Sequence, residues 1–61
     1  MTPDARARLV EVMASAMHDD RWPGTPWITV SWMTQADYRG HADAAIAAAE
    51  RAGFKWEESK P

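Results

Sequence analysis

Between Trp22 and Trp27 the chain reads Trp-Pro-Gly-Thr-Pro-Trp, and this run decides what the rest can become. Each proline lacks the amide proton that a regular helix or ladder needs, and the glycine between them favours a turn. No long element can pass through. The 61 residues are therefore split into two flanking stretches, and both carry helical spacing.

The first stretch opens on Thr2-Pro3-Asp4, a helix-start signal. Threonine can cap free amide groups, proline suits the first helical position, and aspartate complements the helix dipole. A helix is expected over residues 3–18. Ala5, Leu9, Val12, Met13, Ala16 and Met17 fall on one side of it, with Arg6, Arg8 and Glu11 elsewhere, so the apolar stripe is expected to be core.

Residues 19–33 form the connection. In its second half Ile28, Val30 and Trp32 alternate with Thr29 and Ser31, the period of a short strand. With no ladder partner in the chain, an extended loop pinned by its aromatics is expected, the alternative being a strand paired across a dimer. The second helix begins at Ser31 or Thr34, and the capping pattern Thr34-Gln35-Ala36-Asp37 favours residues 34–52. Alanine-rich sequence such as Asp43 to Ala52 has high helix propensity, and Gly53 is the expected stop. Tyr38, Ala42, Ala45, Ile46 and Ala49 make its main apolar face. Phe54 and Trp56, in the tail 53–61, are expected to fold back over the pair. The fold class is thus all-α: one domain, a two-helix hairpin with a long Trp/Pro-containing connection, able to dimerise into a four-helix arrangement.

Gly40 is out of place in that second helix, since an interior glycine costs about 1 kcal/mol against alanine. Gly40, Ala44 and Ala48 stand at four-residue steps, away from the Tyr38 face. Another backbone could approach this bulk-free strip, with Asp37 and Arg51 pairing across a two-fold axis; otherwise the strip is solvent-facing alanine.

A chain this short buries only about 60% of the surface it exposes unfolded. Its core supplies roughly 3–5 kcal/mol, and many such chains add a disulfide, a metal or a second subunit. With no cysteine the first is excluded, together with cysteine-based zinc sites. Seven basic against nine acidic residues, with no basic cluster, disfavour nucleic-acid binding. Charges at Asp4, Arg6, Arg8 and Glu11 interrupt any signal-peptide core, and no apolar run approaches a bilayer span. The expectation is a cytoplasmic protein, without membrane or nucleic-acid partners.

Few residues suggest chemistry. His18-Asp19-Asp20 and the pair Asp37/His41 are the only groupings with metal or acid–base potential, and the latter share a helix face. Two ligands do not enclose a cation, and Ser15, Ser31 and Ser59 sit in no activating motif. Neither catalysis, a cofactor nor a metal site is expected. What stands out is Trp22, Trp27 and Trp32, at five-residue intervals around the prolines and followed by Met33. Tryptophan offers large apolar area and a hydrogen-bond donor, and it dominates many interfaces. Of the three, Trp27 is the expected core member and Trp22 the more exposed.

Trp27, Val30, Tyr38-Arg39, Ala42, the alanine-rich stretch to Ala52 and Gly53-Phe54 together resemble a pattern in small uncharacterised proteins of actinobacterial phages and prophages. It spans roughly Trp27 to Phe54, under half the chain. Trp32 and Met33 depart from it, standing where such proteins tend to have acidic residues. The resemblance implies a phage origin and, with it, binding to a host protein in the host cytoplasm; it carries no established activity. The expected function is therefore protein binding anchored by Trp22, Trp27, Trp32 and Met33. The alternatives are a self-assembling homodimeric hairpin paired along Gly40, Ala44 and Ala48, and a small DNA-binding regulator. The long connection counts against the last, because a helix-turn-helix needs a turn of about three or four residues.

Overall fold

The computed structural model describes residues 1–55, and the expectations for Trp56, Ser59 and the end of the tail lie outside the described residues. Helix α1 spans Pro3–Arg21. Thr2 caps it, its hydroxyl accepting from the Ala5 amide at 3.1 Å while its carbonyl accepts from Arg6 at 2.9 Å. The helix runs three residues past its expected end at His18 because Asp19-Asp20-Arg21, though poor helix formers, contain no breaker. Termination waits for Pro23, which disfavours helical geometry at Trp22. Trp22 to Thr25 then closes a turn through a 3.2 Å bond from the Thr25 amide to the Trp22 carbonyl, with Gly24 at φ +91° in the third position, where a side chain would be strained.

The expected extended segment after Pro26 is instead a single 3-10 turn, Trp27–Thr29. Thr29 supplies the reason: both its amide and its hydroxyl donate to the Pro26 carbonyl, at 3.0 and 2.7 Å, and the Val30 amide reaches Trp27 at 3.1 Å. These local bonds satisfy groups that a strand would have left without partners.

Helix α2 covers Trp32–Arg51, so of the two expected starts Ser31 is the cap. Its hydroxyl oxygen accepts from the Thr34 amide at 3.4 Å, and the helix begins two residues earlier than the Thr34 start had placed it. At the other end Gly53 adopts φ +94°; its amide bonds to Glu50 and that of Phe54 to Ala49, at 3.0 and 3.1 Å. This double closure stops the helix where the glycine led one to expect.

The helices run antiparallel: Arg6 near the start of α1 pairs with Asp43 and Glu50, whereas His18 near its end meets Tyr38. Among the described residues there is no strand, and no helix is long and apolar enough to cross a membrane. The buried apolar core is small, consisting of Ala14, Ala42 and Ile46. On α2 this is the expected face, with Tyr38 and Ala49 half-buried beside it and only Ala45 turned out. On α1 the expectation is overturned. Ala14 and His18 are buried, Leu9, Met13 and Met17 are only half-buried, and Val12 and Ala16 are exposed. The inward side of α1 is the one whose polar residues find partners on the rest of the chain.

Candidate functional site

Glu11 organises the end of the hairpin near the connection. Its Oε2 accepts from Arg39 Nε at 2.7 Å, and its Oε1 accepts from Arg39 Nη2 at 3.0 Å and from Trp27 Nε1 at 2.9 Å. Gln35 closes the circuit, donating through Nε2 to the Trp27 carbonyl at 2.8 Å and accepting from Arg39 Nη2 at 3.4 Å. The Arg39 guanidinium also lies 5.6 Å from the centre of the Trp27 ring. One residue from α1, one from the 3-10 turn and two from α2 thus share a single network. Hydrogen bonds from Arg39, then from Trp27, hold the Glu11 carboxyl down at about 2 against its ordinary 4.5. Glu11 in turn raises the Arg39 guanidinium above its ordinary value.

Beneath that network three rings meet. His18 lies 5.5 Å from Trp27 and 5.6 Å from Tyr38, and Trp27 and Tyr38 are 6.2 Å apart at a near-perpendicular angle, the edge-to-face arrangement aromatic rings favour. His18 is 2% exposed, and its Nδ1 has no hydrogen-bond partner, Asp19 Oδ1 standing 3.6 Å away. Trp27 is therefore the pin of the connection: half-buried, its indole N–H committed, its ring faces occupied.

The other members of the tryptophan group are placed differently. Trp32 is 76% exposed, Ile28 87% and Trp22 52%, and Met33 is exposed with them. Four of the seven large apolar side chains exposed among the described residues lie within residues 22–33. Ile28 was not among the expected site residues; the signal for it is its place beside Trp27 in a turn too short to bury both neighbours. Met33 follows Trp32 on α2 and so points about 100° away from it, toward the side that carries Gly40. Gly40, Ala44 and Ala48 are all exposed, and a methyl group added at Gly40 would meet nothing within 4 Å.

Asp37 and His41 are both exposed, and among the described residues no three His, Cys, Asp or Glu side chains are grouped as a cation requires. At the opposite end of the hairpin an open depression of ≈ 360 Å³ is lined by Met1, Glu50, Phe54 and Lys55. Compared with known protein families, with curated proteins and with solved structures, the chain matches none.

Proposed function

We propose that this protein acts by binding another protein through the connection and the first turn of α2, with Trp22, Ile28, Trp32 and Met33 as contacts and Trp27 holding them in place. The observation that carries this reading is the division of labour among the tryptophans. Trp27 is tied down by Glu11, His18 and Tyr38, while Trp32 and Ile28 next to it are left almost wholly in water. A rigid support beneath exposed aromatic anchors lowers the entropy cost of binding, and such anchors supply much of the energy of protein interfaces. The resemblance to phage proteins supports a host protein as the partner. The departures from that pattern, Trp32 and Met33, fall on the surface in question.

The test is capture from an actinobacterial lysate with the parent chain and with Trp32→Ala and Ile28→Ala, all three checked for unchanged helicity. One protein retained by the parent and lost at least tenfold with both variants, then bound directly when purified, is the expected result. Retention that ignores both substitutions would remove this surface from consideration.

A further inference from the structure

One polar atom inside the hairpin is left without a partner. Among the described residues His18 Nδ1 is the sole buried side-chain nitrogen or oxygen that makes no hydrogen bond, on a side chain that keeps 3% of its exposure. Buried polar groups are rarely left so, because the missing partner costs more than a bond would return. The imidazole serves there as a ring. Trp27 from the 3-10 turn lies 5.5 Å from it and Tyr38 from α2 5.6 Å, while the His18 carbonyl accepts from the Trp22 amide at 2.7 Å. One residue thus supports both ends of the run from Trp22 to Trp27.

Histidine differs from any other ring that could fill this place, since an unperturbed imidazole takes up a proton at about pH 6.5. The groups that face it decide what the proton does. On its own helix Asp19 Oδ1 is 3.6 Å from Nδ1, beyond good hydrogen-bond reach, and that side chain is 63% exposed, so solvent screens its attraction. Glu11, also on α1, is committed to Arg39 and to the Trp27 indole N–H. The 3-10 turn brings Trp27, without a charge. Helix α2 brings Tyr38 and the Arg39 guanidinium, which already lies 5.6 Å from the centre of the Trp27 ring. A second cation against the same ring is repelled by the first. Burial and Arg39 therefore oppose a charge on His18 more than Asp19 favours it.

We propose that His18 is a proton-operated latch for the connection. Uncharged, it is the ring on which Trp27 rests. Charged, it leaves the cluster for water, and Trp27 follows, because what still holds its ring is the Tyr38 contact and a hydrogen bond to half-exposed Glu11, where water competes. The folded arrangement excludes the proton and the open one accepts it, so acid favours opening. The helices stay docked through Ala14, Ala42, Ile46 and the pairs of Arg6 with Asp43 and Glu50, none of which involves His18. Acid thus ends the ordered presentation of Trp22, Ile28 and Trp32. As regulation of binding this rests on the function proposed above, whereas the opening is a property of the free chain.

Nuclear magnetic resonance on the free chain decides it. The chain has two histidines, and His41→Gln, at an exposed position, leaves His18 alone. Between pH 8 and pH 5, above the range in which Glu11 takes up its proton, the His18 Cε1–H resonance should titrate. The Trp27 indole N–H resonance, assigned by its loss in Trp27→Phe, should move with the same midpoint, the open fraction rising at least tenfold, while helicity by circular dichroism falls by less than a tenth. His18→Phe keeps a ring that cannot charge, and its Trp27 resonance should stay in place throughout; the His41→Gln titration decides alone where that chain does not fold. A Trp27 resonance that ignores the His18 titration overturns the proposal, as does a His18 that remains unprotonated at pH 5. Helicity lost at the same midpoint assigns the proton to global unfolding, and a Trp27 that still moves in folded His18→Phe assigns the movement to another group; both refute the latch. None of these outcomes depends on capture from a lysate, so failure of the latch and failure of the binding surface are told apart.

Discussion

The two helices are nearly the same length, 19 and 20 residues, yet they reach their packing by different routes. In α2 hydrophobic spacing decides: Ala42 and Ile46 are buried, with Tyr38 and Ala49 beside them, as their positions on the helix imply. In α1 Leu9, Val10, Met13 and Met17 are only half-buried and Val12 is exposed, while His18 is buried and Arg6 and Glu11 are half-buried beside α2. Each of these last three has a destination on the opposite face. Arg6 pairs with Asp43 and Glu50, Glu11 with Arg39 and Trp27, and His18 packs between Trp27 and Tyr38. When alanines fill the centre of an interface, little area is at stake there, and the polar and aromatic contacts around it can fix the rotation of a helix.

The largest effect should come from the side governed by area. Ile46 is the one large side chain among the described residues that is fully buried, and Ile46→Ala is expected to cost about 2–5 kcal/mol. That is comparable with the roughly 3–5 kcal/mol available to a core of this size. The variant should therefore show no cooperative thermal transition above 25 °C by circular dichroism. A melting temperature within a few degrees of the parent would mean that α2 does not dock through this face.

A smaller effect tests the unexpected rotation of α1. Ala14 has no exposed surface, so Ala14→Leu must push the helices apart, at a cost of about 1–3 kcal/mol. Were the Leu9, Val12 and Ala16 stripe packed against α2 within one chain, Ala14 would lie on the opposite side of α1 and the larger side chain would be tolerated. Urea titration separates the two arrangements. A variant as stable as the parent would return α1 to the orientation its apolar spacing suggests.

This contrast also marks what could be read without coordinates. Both helices, the cap at Thr2 and the stop at Gly53 rest on local chemistry within a few residues, and local chemistry is written in the sequence; for the start of α2 the sequence offered two caps, and the pattern at Thr34 outweighed Ser31, which is the cap. The inner face of α2 was legible because alanine leaves Ile46 and Tyr38 as the only bulky apolar residues of α2 after its first turn. The face of α1 was not, since its orientation rests on Glu11 meeting Arg39, a residue 28 positions away, and on Trp27 arriving between the helices. The 3-10 turn was hidden for another reason: alternation of apolar and polar residues marks a strand only where a neighbour can complete the ladder. At the candidate site the inward role of Trp27 and the exposure of Trp22 followed from their neighbours. Ile28 was missed because period-two reading assigned it to the same side as Val30.

The smallest expected effect concerns the carboxylate at the centre of the polar arrangement, and its sign follows from proton uptake. Glu11 is held at about 2 in the folded chain against 4.5 without its partners, first by hydrogen bonds from Arg39 and then by that from Trp27. Between those values the unfolded chain binds a proton that the folded chain does not, so acidification favours unfolding. The contribution is fully present above about pH 4.5 and is lost as the pH falls toward 2. Its size is limited, because the Glu11 and Arg39 side chains retain 46% and 40% of their exposure and solvent screens the pair. At pH 7 Glu11→Gln should melt about 2–5 °C below the parent, a gap in keeping with a screened ion pair in a small domain. Melting curves collected from pH 7 to pH 2 should show that gap closing between 4.5 and 2, as the parent loses what the variant never had. A gap that persists unchanged at pH 2 would mean that the glutamine disturbs packing rather than charge. No gap at pH 7 would mean that the Glu11–Arg39 pair does not hold α1 in its rotated position, leaving the aromatic contacts of His18 and Trp27 as its cause.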